Sequence, residues 1–375
     1  MTEHFSPLLT HCPETLPQAA YLSADWYARE QATIWSRNWV SVGRLNDLPP
    51  GTMRPVIVGG ASVLLARRAD GDLAAYHNAC RHRGSELCGH ETTLGKLITC
   101  PYHAWSYAAT DGHLVSIAFA TPTADFHKQD NGLRPVSHMI WCGFILLNLS
   151  ENPGPPSPDP GLGALTNWPM DNLQTGHRHE RILNCNWKVF WENYNECLHC
   201  PGIHPELCDM VPIYGQGIMS PPEAADWTAD LPATPGLKTG AQSWTMTGGP
   251  CGPLFPDLTP QQRQDGHSFV TLYPSTYIVA HVDYVRSVRL EPLGPEQTRL
   301  IAEWHFAPET LAQPGFDAAD VAAFAKIVLQ QDGDAVEMNQ RGIRSPSYRR
   351  GRLMPQEFDI HRFHQWILTE LEATT

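Results

Sequence analysis

The segment "SENPGPPSPDPGLG", residues 150–163, limits the possible folds more than any other stretch. It holds five prolines in fourteen residues. Each removes a backbone donor and fixes φ, so neither a helix nor a central strand can run through it. The 375-residue chain is therefore expected to build two separate cores around a linker. The expected division is a helical lead-in at 1–39, a first domain at 40–150, the linker at 151–165 and a second domain at 166–375.

Within the lead-in, Trp26, Ile34, Trp35 and Trp39 recur at helical spacing. From residue 40 the pattern changes to short apolar runs such as "RPVIVGG", "SVLLARR" and "MIWCGFILLNL", separated by turn signals such as "ADGD" and "TDGH". That pattern predicts antiparallel β structure. Beyond the linker, a strand is expected near Arg181–Leu183 and a helix from Trp187 to His199. Strands follow at 268–281, 284–291 and 298–306, and a closing helix at 318–338. Residues 213–265, rich in Gly, Pro and Trp, read as an irregular lid or subunit contact. The expected fold class is α+β with antiparallel sheets in both domains.

The formal net charge of −13 argues against nucleic acid or an anionic membrane as partner. No apolar stretch is long enough to span a bilayer. The N-terminal residues lack a basic stretch followed by an apolar block, so no export signal is expected. The ten cysteines are accordingly expected as free thiols in the reducing cytoplasm.

Two constellations carry chemistry. The first is Cys80-x-His82 followed by Cys100-x-x-His103. Two such loops facing each other can hold one tetrahedral Zn²⁺. They can equally hold a two-iron cluster, thiolates on one iron and imidazoles on the other, at a higher potential than an all-Cys cluster. The second joins Glu196, His199 and His204, with Pro201–Gly202 breaking the helix so that His204 folds back towards His199. Asp332 continues the apolar stripe of Val321, Ala325 and Val328, and a carboxylate on an inward stripe needs a partner or a metal. With the two histidines it completes a two-His-one-carboxylate set that leaves metal positions open. Asp334 is the rival carboxylate.

The loops "CRHRG" and "CPYHAWSY" closely resemble the Rieske [2Fe–2S] loops of ring-hydroxylating-type oxygenases, with Ala104 standing where glycine is usual. The lead-in Asn186-Trp187-Lys188, then Glu196, His199 and His204, then Asp332 with Glu337 five residues on, resemble the catalytic domain of Rieske non-haem iron oxygenases. The likeness runs from "TLPQAAY" to "NQRG". It implies a [2Fe–2S] cluster on Cys80, His82, Cys100 and His103, and a mononuclear Fe(II) on His199, His204 and Asp332. It further implies a helix-grip (START-like) catalytic domain, O₂ as co-substrate, and electrons from NAD(P)H through a separate flavin- or ferredoxin-type reductase. No GxGxxG opens a helix after a strand, in keeping with that separate donor. The resemblance implies a ring of subunits, usually a trimer and here expected as a homotrimer, in which Glu196 would bridge a histidine ligand of each centre across a subunit boundary.

Glutamate at 196 with a cysteine nearby resembles the branch that acts on quaternary ammonium compounds such as carnitine, betaines and choline. The competing expectation is an aromatic acid, and so aromatic compound catabolism. A pure electron carrier and a zinc-stabilised binding protein are the non-oxygenase readings. A trimethylammonium substrate calls for an aromatic box. Its candidates are Trp227, Trp244, Phe255, Tyr273, Tyr277 and Tyr284, most of them expected to be ordinary core.

Overall fold

The computed structural model describes residues 7–156, 162–224 and 234–373. The chain forms two compact units, one of residues 31–159 and one joining residues 1–30 to residues 160–375. The expected lead-in is thus split. Helices α1 (Ala19–Leu22) and α2 (Ala24–Glu30) belong with the C-terminal part. The cause is Glu30, whose fully buried carboxylate accepts from Lys188 Nζ at 2.6 Å and Trp187 Nε1 at 2.9 Å.

The unit of residues 31–159 is antiparallel β, as the alternating runs predict. Strands β1 (Val40–Arg44), β9 (Ser137–Trp141) and β10 (Phe144–Asn148) form one sheet in the order β1-β10-β9. A second sheet orders β2 (Thr52–Val58), β3 (Ala61–Arg67), β4 (Leu73–His77) and β5 (Thr92–Thr93) as β4-β3-β2-β5. The third is β6 (Leu97–Thr99), β7 (Ser106–Ala108) and β8 (Leu114–Ser116). Leu64, Tyr76, Ile98 and Tyr107 share one apolar core with Cys80 and Cys100, so the two Cys-His loops are rooted in it by their sulfurs.

In the other unit, β11 (Gln174–Leu183), β12 (His267–Leu272), β13 (Thr276–His281), β14 (Val285–Gly294) and β15 (Gln297–Phe306) form an antiparallel sheet ordered β11-β15-β14-β13-β12. The single strand expected at 268–281 is a hairpin. Pro274 cannot donate to a ladder, and the chain turns there, putting β13 back on β12. Helix α3 is Trp187–Tyr194. It is followed by α4 (Cys200–Ile203), α5 (Pro205–Met210), α6 (Pro260–Asp265), α7 (Pro308–Leu311), α8 (Ala318–Ile343) and α9 (Phe358–Glu372). Helix α8 packs on α3 and β11, the helix-against-sheet arrangement expected. The described parts of 213–265 are irregular apart from α6 and two short turns of 3-10 helix. No helix among the described residues is long and apolar enough to cross a membrane.

His267 and His281 face each other across β12 and β13, both buried, and neither ring nitrogen of His281 has a hydrogen-bond partner among the described residues. Burial pushes His267 down to about 4 and holds His281 well below its ordinary value. Unfolding restores both to about 6.5, so between about 6.5 and 4 the unfolded chain binds more protons. Their contribution is complete above about pH 6.5 and is lost as pH falls, by about 1.4 kcal/mol per pH unit for each ring. Urea unfolding of wild type and His281→Leu at pH 7.5 and 5 should show a shallower acid loss in the variant. Equal losses would contradict this account.

Candidate active site

Helix α3 stops at Tyr194, short of the expected His199. The reason is Glu196. Its carboxylate accepts the backbone N–H of Leu198 and, at 3.3 Å, that of His199. Such local bonding competes with helix continuation. Glu196 and His199 therefore share a tight turn rather than a helix face, and His199 Nδ1 lies 2.5 Å from Glu196 Oε1. His204 sits between α4 and α5 at φ −115°, ψ 68°, pushed off helical geometry by Pro205. The bend turns its ring back, and the two imidazole centroids stand 5.1 Å apart.

Asp332 on α8 meets both rings. Its Oδ1 is 3.0 Å from His204 Nε2 and 3.6 Å from His199 Nε2. The candidate ligand atoms of the three residues all lie within 4.8 Å of one another. Each histidine is oriented from its far nitrogen, His199 by Glu196 and His204 by Gln331 Oε1 at 2.8 Å. That leaves both Nε2 atoms aimed at one carboxylate, the arrangement a metal ligated by imidazole needs. Burial opposes charge on these groups, but their mutual hydrogen bonds prevail. They hold the Asp332 carboxyl well below the usual range and lift His199 to about 9. Asp334 points elsewhere, with its side chain 62% exposed and bound to Arg181 at 2.8 Å. Glu337 accepts the Asn184 backbone N–H at 2.9 Å, tying α8 to the turn before α3.

Two positioning residues went unrecognised in the sequence. Asn193 Nδ2 donates to Asp332 Oδ1 at 2.7 Å, and Gln331 holds His204. Asn193 follows Val189 and Phe190 on the buried side of α3, so a polar residue on an apolar stripe was the available signal. The expectation of free thiols also needs correction. Cys197 and Cys200 are joined by a disulfide, their Cα atoms 5.0 Å apart across the turn that carries His199.

The donor set opens onto a pocket of about 650 Å³, mouth included, lined by Phe190, Tyr194, Tyr214, Trp244, Phe269 and Tyr277 among others. Tyr194 stacks on Tyr277 at 4.0 Å between centroids, and Phe190 on Tyr277 at 6.4 Å. Of the expected aromatic box only Trp244 and Tyr277 line it. Phe255, Tyr273 and Tyr284 do not, and Trp227 lies outside the described residues.

In the other unit, Cys80 and Cys100 are buried while His82 is exposed and His103 half-buried. The imidazole centroids are 4.8 Å apart, and His82 stacks on Trp105 at 4.7 Å. Burial raises the Cys80 thiol, against a hydrogen bond from Tyr107 Oη at 3.1 Å. Burial also opposes ionisation of Cys100, but the N–H groups of Tyr102 and His103 outweigh it and draw that thiol down. Two inward sulfurs supplied with donors, and two outward imidazoles, fit a cluster whose irons differ in ligand type. Ala104 has φ +54°, a left-handed conformation that costs an alanine about 1–2 kcal/mol and explains the glycine usual there.

Residues 170–373 match the ring hydroxylating alpha subunit (catalytic domain), and residues 38–127 match the Rieske [2Fe-2S] domain. The chain belongs to the ring-hydroxylating alpha-subunit family. This alpha subunit is 29% identical to the glycine betaine monooxygenase oxygenase subunit of Chromohalobacter salexigens, over 96% of this chain and 87% of that one. It is 27% identical to the chloroplastic choline monooxygenase of Beta vulgaris, over 96% and 77%. A solved structure of the quaternary ammonium Rieske monooxygenase CntA has the same fold, with a TM-score of 0.75, 21% identity and 96% of each chain covered. As a Rieske oxygenase alpha subunit, the protein uses a [2Fe–2S] cluster and non-haem iron, with O₂ as co-substrate and electrons from NAD(P)H through a separate reductase. The two donor sets described above suit those two groups.

Proposed function

We propose that this alpha subunit is the terminal oxygenase that oxidises a small quaternary ammonium compound of the carnitine, betaine or choline kind, by hydroxylation or oxidative N-demethylation. The observation that carries the reading is the juxtaposition of His199, His204 and Asp332 with a pocket walled by six aromatic rings. A quaternary ammonium cannot donate a hydrogen bond, so π faces are what can select it. The glycine betaine and choline enzymes among its relatives support the same choice.

In this reading Cys80, His82, Cys100 and His103 hold the [2Fe–2S] cluster, and His199, His204 and Asp332 hold the iron. The iron, when bound, would supply O₂ activation, and the cluster would supply single electrons. The protein's own contribution is positional. Glu196 and Gln331 fix the histidine tautomers, Asn193 orients the Asp332 carboxylate, and the aromatic wall orients substrate and excludes water. Homotrimeric assembly, with Glu196 facing a neighbour's cluster, and a cytoplasmic location belong to the same proposal.

The test is product analysis with the reconstituted reductase, NAD(P)H and O₂, offering glycine betaine, carnitine, choline and benzoate. Oxygen from ¹⁸O₂ should enter a trimethylammonium compound or the methyl group released from it. Turnover confined to benzoate would reject the ammonium reading in favour of an aromatic acid.

A further inference from the structure

One wall of the pocket carries a cation that has no counter-charge among the described residues. Arg286, on β14, lines the pocket and is only 5% exposed. Among the described residues no carboxylate forms an ion pair with it, and its Nε is buried without a hydrogen-bond partner. The ring of Tyr277 faces it, with its centroid 6.0 Å from the guanidinium carbon. The other ionisable groups of the pocket are engaged elsewhere, Glu196 with His199, and Asp332 with His199, His204 and Asn193.

Arg289, three residues along the same strand, shows what a structural arginine looks like here. It is paired with Glu303 at 3.5 Å and Glu291 at 3.2 Å. Strand alternation puts the two arginines on opposite faces. The register sets Arg286 opposite Val279, and Val279 opposite Phe269, so all three point to one face of the sheet. Phe269 and Arg286 both reach the pocket. Arg286 is thus aimed at the space where substrate must sit, on the face without the carboxylates that compensate Arg289.

A buried guanidinium without a counter-charge is unfavourable, and its planar fork matches a carboxylate or a phosphate bidentately; of these, the carboxylate is the anion that betaines and carnitine carry. We propose that Arg286 anchors a substrate carboxylate, so that the natural substrate is a zwitterion, quaternary ammonium at one end and carboxylate at the other. Resting on the quaternary-ammonium reading, this narrows it to the betaine and carnitine type and disfavours choline, which would leave Arg286 unneutralised. The same charge repels the ammonium group. The zwitterion therefore binds in one orientation, its N-methyl groups held away from Arg286, and the anchor selects which carbon is presented for oxidation.

The test is anaerobic calorimetry on the protein with both metal centres loaded, using glycine betaine, choline and benzoate as probes. Wild type should bind glycine betaine about a hundredfold more tightly than choline, the scale of a desolvated charge-assisted pair. Arg286→Gln should erase that preference, weakening glycine betaine while choline binds as well as before or more tightly. Arg286→Lys, which keeps the charge but not the fork, should retain part of it and remains informative if the glutamine variant does not fold. Equal wild-type affinity for glycine betaine and choline, or an equal loss of both in the variants, would overturn the anchor and leave the ammonium reading standing. If only benzoate binds, and Arg286→Gln or Arg286→Lys weakens it, the anchor holds and the ammonium reading falls.

Discussion

Asp332→Ala protein should purify with its [2Fe–2S] signal intact, lose most of its mononuclear iron and lose turnover by more than about a hundredfold. A hundredfold is the upper end for removing a group that merely orients a metal ligand, so loss of a ligand itself should exceed it. The expectation follows from the distances. Asp332 is the carboxylate that the Nε2 atoms of His199 and His204 both face. Two imidazoles alone leave a weak site for a ferrous ion. The control is Asp334→Ala, two residues away. That carboxylate is 62% exposed and bound to Arg181, a surface pair worth about 0–1 kcal/mol, so iron content should not change. Elemental analysis for iron and acid-labile sulfide, with an EPR spectrum of the reduced protein, checks both variants. Full iron in Asp332→Ala, or iron lost from Asp334→Ala, would mean the carboxylate has been misassigned.

The second large effect lies well inside the core. Glu30→Ala should destabilise the protein by about 3–5 kcal/mol, the usual result of stripping one member from a buried ion pair. Lys188 and Glu30 are both fully buried and 2.6 Å apart. Burial alone drives the Lys188 amine down, and Glu30 counters it. Trp187 Nε1 loses its acceptor in the same variant, adding about 1 kcal/mol. The double variant Glu30→Leu with Lys188→Met removes both charges together and should recover most of the loss. Denaturant unfolding of the two proteins tests this. A single variant within 1 kcal/mol of wild type would show that the pair is not what docks α2 against α3.

These two residues also mark how far the sequence could be read. Lys188 stood inside the "NWK" lead-in, yet its partner is 158 residues away in a segment read as a separate lead-in. Pairings at that separation leave no periodic trace. The strands were legible because alternation is a local property. The hairpin at Pro274 was visible only as a proline and was read through. Cys80, His82, Cys100 and His103 stand out in the sequence because two short loops each set a cysteine close before a histidine; their holding a cluster is the proposal made above. Asp332 stands out because it interrupts an apolar stripe. Asn193 broke a stripe in the same way and was missed. Glu196 was placed on a helix because spacing of three suits one. The carboxylate's bonds to Leu198 and His199 then ended that helix. Arg286 gave no signal at all, since an arginine in a strand looks alike whether its counter-charge is a glutamate or a ligand.

The two arginines of β14 separate what this enzyme must preserve from what it can trade. Arg289 and its carboxylates brace the sheet from one side, while Arg286, Phe269 and Tyr277 look into the pocket from the other. Because side chains alternate along a strand, lineages can exchange pocket-facing positions for new diets without touching the brace. Neutral or acidic replacements at position 286 are where relatives adapted to uncharged or cationic nutrients should diverge first.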